Sequence, residues 1–125
     1  MTRVLVATDR SETAHRAVEW AAEMAERYDA ELVVLRVTLD GDVDELERDL
    51  AKYVEGFGEH ARPLVRHGDD PARVIVDAAS DEDVDVLVVG SVGMQGRKEF
   101  LLGNVPNRVS HNAPCTVVIV DTASQ

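Results

Sequence analysis

The chain has one cysteine, two lysines and five aromatic residues in 125 positions, and each shortage excludes something. A lone Cys115 rules out a disulfide framework or a cysteine-based metal cluster within one chain. With lysine only at Lys52 and Lys98, 24 acidic residues face 13 basic ones and the net charge is −11. Such a surface repels phosphate backbones and argues against a nucleic-acid partner. It also suits a salty cytoplasm, where screening relieves self-repulsion. No apolar run approaches the roughly 18 residues of a membrane span. The N-terminus enters a strand-like segment at once, without a signal-peptide pattern. A cytoplasmic location with no membrane partner is therefore the expectation. Scarce aromatics leave the core to Val, Leu, Ile and Ala, within a hydrophobic fraction of 45%, as is usual for a sheet packed between helices.

What is present alternates between apolar runs and amphipathic ones. Val4 to Thr8 is a short β-branched run. From Ser11 to Tyr28, Ala14, Ala17, Val18, Ala21, Ala22 and Ala25 recur at helical spacing, with Ser11 placed to cap the helix and Glu12 in its first turn. Leu32 to Val37 is a second strand, Asp44 to Glu55 a polar helix, and Arg62 to His67 a weaker strand suited to a sheet edge. Pro71 opens a third helix that carries Val74, Ile75, Ala78 and Ala79. Val84 to Val89 is a fourth strand, Asn104 to Asn112 a helix, and Cys115 to Val120 a last strand. This βαβαβαβαβ order, with strands apolar along their length, predicts a parallel α/β sheet covered on both faces. One domain over residues 1–125 is expected.

Open parallel sheets bind ligands beyond the carboxyl ends of their strands, where the strand order reverses. The loops after the first and fourth strands are thus the places to search. After the fourth strand, Gly90 to Gly103 is longer than the usual connection of about four to six residues. Gly90 and Gly93 let backbone approach a ligand, and Gly103-Asn104 opens a helix whose free amides favour an anion. From Gly90 to Asn112 the bases Arg97, Lys98 and Arg108 face one acid, Glu99. That segment is +2, leaving −13 for the rest of a chain whose total is −11.

Asp9, at the end of the first strand, could bond a ribose hydroxyl or hold a metal's water; the plainer role is a turn aspartate bonding its own loop. A phosphate-accepting receiver would need an acidic cluster joined by a later strand-end Asp and Lys, and no such set is found. His15, His60, His67 and His111 are scattered without metal-ligand spacing. Trp20 with Met24 reads as helix packing, and Cys115 as a small buried side chain.

The spacing Gly90-x2-Gly93-x9-Gly103-Asn104 resembles the nucleotide motif of universal stress proteins, Gly-x2-Gly-x9-Gly-(Ser/Thr). Val4 to Glu12 resembles that family's opening strand and turn, Val84 to Ser91 its fourth strand, and Leu101 to Val105 with Ala113 to Val120 its last helix start and final strand. The resemblance implies a five-stranded parallel sheet in order 3-2-1-4-5, a three-layer fold like that of adenine-nucleotide alpha hydrolases. It places adenine near Thr8, Asp9 and the backbone of Val37, and phosphates near Gly90, Gly93, Gly103 and Asn104. Ser91, Arg97 and Val105 complete the nucleotide-binding set. ATP with Mg2+ is the implied ligand, and a homodimer through Cys115 to Val120 the implied assembly. No catalytic residue is assigned, because neither a positioned base nor a Walker-type lysine is visible. Two departures, Asn104 for the hydroxyl residue and Pro106 in place of a backbone donor, favour the alternative of a dimeric interaction module that binds no nucleotide. A third reading, an enzyme such as a slow nucleotide hydrolase, finds no supporting motif.

Overall fold

A computed structural model describes residues 2–91 and 105–121. Its strands are β1 (Arg3–Ala7), β2 (Glu31–Thr38), β3 (Ala61–His67), β4 (Val86–Gly90) and β5 (Thr116–Val120); its helices are α1 (Glu12–Arg27), α2 (Val43–Val54), α3 (Pro71–Asp81) and α4 (Val105–Asn112). The strands form one parallel sheet in order β3-β2-β1-β4-β5, as the resemblance implied.

Side chains alternate across the sheet with period two, which builds two separate cores. Leu5, Val33, Leu35, Leu87 and Val89 face α3 and α4, meeting Ile75, Ala78, Ala79, Val105 and Val109. Val4, Val6, Leu32, Val34, Val86 and Val88 face α1 and α2, meeting Ala17, Val18, Ala21, Ala25, Leu50 and Val54. The alanine stripe of α1 lets that helix lie close to β-branched strands, so few aromatics are needed. Trp20 packs against this second core only in part, consistent with helix packing.

Local signals explain the boundaries. The Ser11 hydroxyl accepts from the Ala14 amide at 3.1 Å, capping α1. After Tyr28 the chain turns through Asp29 at φ 56°, and the Ala30 amide reaches the Ala25 carbonyl at 2.8 Å, which closes the helix. Pro71 occupies the first turn of α3, where a missing N–H costs little. Pro63 sits within β3, and β3 is an edge strand, the only setting in a sheet that readily tolerates proline.

β4 begins at Val86, two residues later than the apolar run suggests. Asp83 takes a positive φ of 54°, and Asp85 has another task. Its Oδ2 accepts from the Thr2 amide at 2.6 Å, the Thr2 hydroxyl at 2.8 Å and the Arg3 amide at 2.9 Å, so the residue before β4 pins the start of β1. These amide bonds hold the Asp85 carboxyl at about 2, below its ordinary 3.8. A depressed folded-state pKa gives stability that is present above the ordinary value and lost as pH falls toward the folded one. Asp85→Ala should therefore lower the urea midpoint at pH 7, and the gap to the parent should narrow between pH 3.8 and about 2. A gap that stays constant over that range counts against the clamp.

Candidate functional site

Because β1 leads out to β2 on one side while β4 lies on the other, the connections part between β1 and β4. Val4, Leu5 and Val6 register with Val86, Leu87 and Val88. Thr8 and Gly90 each lie two residues beyond the last of these pairs, side by side at the carboxyl edge. Thr8 continues the pairing with β2, its amide donating to the Leu35 carbonyl at 2.8 Å. Ser91 continues it with β5, its amide donating to the Val120 carbonyl at 2.8 Å.

The turn after β1 is tightly built. Thr8 is only 2% exposed, and its Oγ1 accepts from the Arg10 amide at 3.0 Å. Asp9 Oδ1 accepts from the Ser11 amide at 2.9 Å, the local bond of an aspartate turn. The plainer role considered for Asp9 is thus present, at the place where a ligand would lie. Between them Arg10 takes φ 69°, a left-handed conformation costing a residue with a Cβ about 1–2 kcal/mol. Its guanidinium carbon stands 4.0 Å from the centre of the Tyr53 ring.

The remaining candidates divide. Val37, near the end of β2, packs its side chain against the α3/α4 core, which leaves only its backbone for a ligand. Val105 opens α4 with its side chain buried in the same core, which again leaves only its backbone for a ligand. Gly93, Arg97, Gly103 and Asn104 lie outside the described residues. Pro106 falls in the first turn of α4, where it removes one of the free amides of the helix start.

One inference from sequence needs correcting. Arg108 was counted among the positive charges gathered for an anion. It makes two bonds of 2.8 Å to the Asp70 carboxylate, bridging α4 to the start of α3. Asp70 lies 38 residues away, so no local window could contain the acid that neutralises it. The Arg108 guanidinium holds the Asp70 carboxyl below its ordinary value of 3.8.

Residues that sequence reasoning passed over are Arg10, His15 and Tyr53. His15 Nδ1 lies 2.6 Å from the Tyr53 hydroxyl, and the His15, Tyr53 and Phe57 rings have centroids 5.2–5.9 Å apart. Histidine with two of only five aromatics was the available signal, but it spans separate helices.

A doubly wound parallel sheet whose strand order reverses between β1 and β4 defines an open α/β fold, a class in which ligands bind beyond the carboxyl ends of the strands at such a switch point. The chain belongs to the universal stress protein family, whose family profile matches residues 1–121. It is 31% identical to the universal stress protein YxiE of Bacillus subtilis, over 94% of this chain and 97% of that one. It is 32% identical to a universal stress protein of Mycobacterium tuberculosis, over 95% of each. Among solved structures, a universal stress protein in complex with cAMP superposes with a TM-score of 0.78 at 28% identity, covering 98% of both chains. UspA of Lactobacillus plantarum, at 23% identity and a TM-score of 0.76 over 95% of this chain and 97% of that one, shares the fold. No helix among the described residues is long and apolar enough to cross a membrane.

The Asp70–Arg108 bridge makes a prediction of its own. Arg108→Ala should raise the Asp70 carboxyl, followed by carboxyl NMR, toward its ordinary 3.8, with Arg73 still drawing it down. Because the parent's folded pKa is depressed, the bridge's stabilisation should be present above that value and fade as pH falls through the folded one. An Asp70 titration unmoved by the substitution would show the pair absent in solution.

Proposed function

We propose that the chain binds an adenine nucleotide across the β1–β4 crevice, and that the bound nucleotide acts as a conformational signal. The observation that carries this reading is the adjacency of the Thr8–Asp9 and Gly90–Ser91 ends at the switch point. It gains support from a 28% identical family structure in complex with cAMP. Adenine and ribose fall to Thr8, Asp9 and the Val37 backbone. Phosphates fall to Gly90, Ser91, Gly93, Arg97, Gly103, Asn104 and the Val105 amide. Of the six described residues in this set, Asp9 alone carries a carboxylate, so it is the residue to hold the water of a phosphate-bound Mg2+. When bound, that ion would screen phosphate charge. Little or no catalysis accompanies binding, and residues 1–125 act as one domain.

Calorimetric titration with ATP·Mg2+ and, separately, with cAMP tests the reading. One-site saturation by either ligand is expected, and silence to millimolar of both overturns it. Gly93→Val should weaken binding at least about tenfold, roughly 1.4 kcal/mol, without lowering the melting temperature. Equal affinity in that variant would move the phosphate site elsewhere.

A second reading, the dimeric interaction module, has one observation in its favour. Among the described residues β5 ends the sheet with no strand beyond it, and Ile119 on it is 47% exposed. An apolar strand edge invites a partner strand, and a second copy of the chain satisfies it symmetrically. The parent should sediment as a dimer at tens of micromolar and Ile119→Lys as a monomer, with unfolding changed by no more than about 0.5 kcal/mol, as for surface substitutions. A monomeric parent removes this reading.

A further inference from the structure

We propose that Arg10, Tyr53 and His15 form a strap that positions the Asp9 turn for its ligand and ties α2 to the occupancy of the crevice. The proposal rests on the nucleotide reading above.

The strap begins in the turn itself. Arg10 holds a left-handed backbone, φ 69°, beside the two side chains assigned to the ligand. Its amide is engaged by Thr8 Oγ1, and the next amide by Asp9 Oδ1. The second bond spans Arg10 and so depends on that conformation, which most residues avoid. What lies on the far side of Arg10 is Tyr53 of α2, whose ring takes the guanidinium at 4.0 Å. Burial raises the Tyr53 phenol above its ordinary value, with Glu19 adding to the rise against an opposing pull from Arg10, so the hydroxyl keeps its proton. In the tautomer with its proton on Nε2, His15 accepts from the Tyr53 hydroxyl at Nδ1, 2.6 Å away, and turns Nε2 toward Glu19 at 3.5 Å. Phe57, just beyond α2, closes the group edge-on to Tyr53.

Arg10 thus joins the turn after β1 to α2 directly, and His15 ties the same Tyr53 to α1. A ligand that pulls on Asp9 rotates Arg10, because the two residues share a peptide. When Arg10 leaves the Tyr53 face, α2 loses its contact with the turn. Conversely, loss of the Tyr53 ring leaves the left-handed turn held by its two local bonds alone. Reciprocity of this kind is required of any coupled pair of sites.

Two measurements on the full chain test the strap. Amide hydrogen exchange by NMR, without ligand, should show the Arg10 and Ser11 amides exchanging about tenfold faster in Arg10→Gly and Tyr53→Leu, as for a locally loosened segment. Titration with ATP·Mg2+ should show both variants binding about fivefold more weakly, the factor of an ordinary cation–π contact. Arg10→Lys, which keeps a cation for the ring, should stay within about twofold of the parent. The urea midpoint of Arg10→Gly should not fall, since glycine accepts the left-handed backbone.

Parental exchange rates in both variants overturn the strap. Weakened binding in Arg10→Gly alone, with Tyr53→Leu binding like the parent, makes Arg10 a direct ligand contact and also overturns it. Should Tyr53→Leu fail to fold, the Arg10→Gly and Arg10→Lys pair supplies both readouts. A parent that binds no nucleotide removes the site reading, while the exchange rates still decide whether the strap exists.

Discussion

All five strands run the same way, and from that constraint the rest follows. Parallel strands cannot be joined by tight turns, so each connection crosses a face of the sheet as a helix. Both faces are then covered, and the alternate side chains of β1, β2 and β4 are buried whichever way they point. Parallelism also sends every carboxyl end to one edge. The loops that lead into the helices gather there, and the strand order reverses between β1 and β4.

The opposite edge has a different character. Arg3 and Arg62 both bond Glu31, Arg62 also bonds Glu82, and Arg66 reaches Asp81 and Glu82. These charges link β1, β2 and β3 to the end of α3. Burial alone would raise the Glu31 carboxyl, but bonds from Arg62 and Arg3 outweigh it and the net shift is downward. Exposed pairs of this kind contribute little singly; their shared partners make them a network. Arg3 and Arg62 are thereby committed at the amino-terminal edge, and Arg66, from farther along β3, is engaged by acids at the end of α3.

Much of this was readable from the residues. Helix caps and prolines act locally, so Ser11 and Pro71 marked their helices correctly, and Pro63 agreed with an edge strand. The alternation of apolar and amphipathic runs was enough for a parallel sheet. Strand order was not in the pattern; it came from the family resemblance, because periodicity says which face is buried and nothing about which strand lies beside it. What stayed hidden was tertiary. Asp85 looked like part of a strand, yet its carboxylate serves Thr2 and Arg3 across 83 and 82 positions. Arg108 looked like a free cation and is claimed by Asp70. Tyr53 and His15 belong to different helices, and only the packing of α2 against α1 brings them together.

These pairings change the electrostatics of the crevice. To hold the proposed nucleotide, a chain of net charge −11 would have to attract an anion against its own field, with Arg108 engaged by Asp70. Arg10 faces the Tyr53 ring, and Asp9 adds a negative charge at the strand end. The Ser91 amide is taken by the Val120 carbonyl, so the attraction left among the described residues is that of the backbone amides at the start of α4, reinforced by a helix dipole worth about half a charge. Such donors favour a ligand of low charge, or one whose phosphates arrive neutralised by a divalent ion. A cyclic monophosphate meets the first condition and a magnesium-bound triphosphate the second, whereas a bare triphosphate meets neither. The shortage of bases noted in the composition is therefore a constraint on the ligand as well as on the surface.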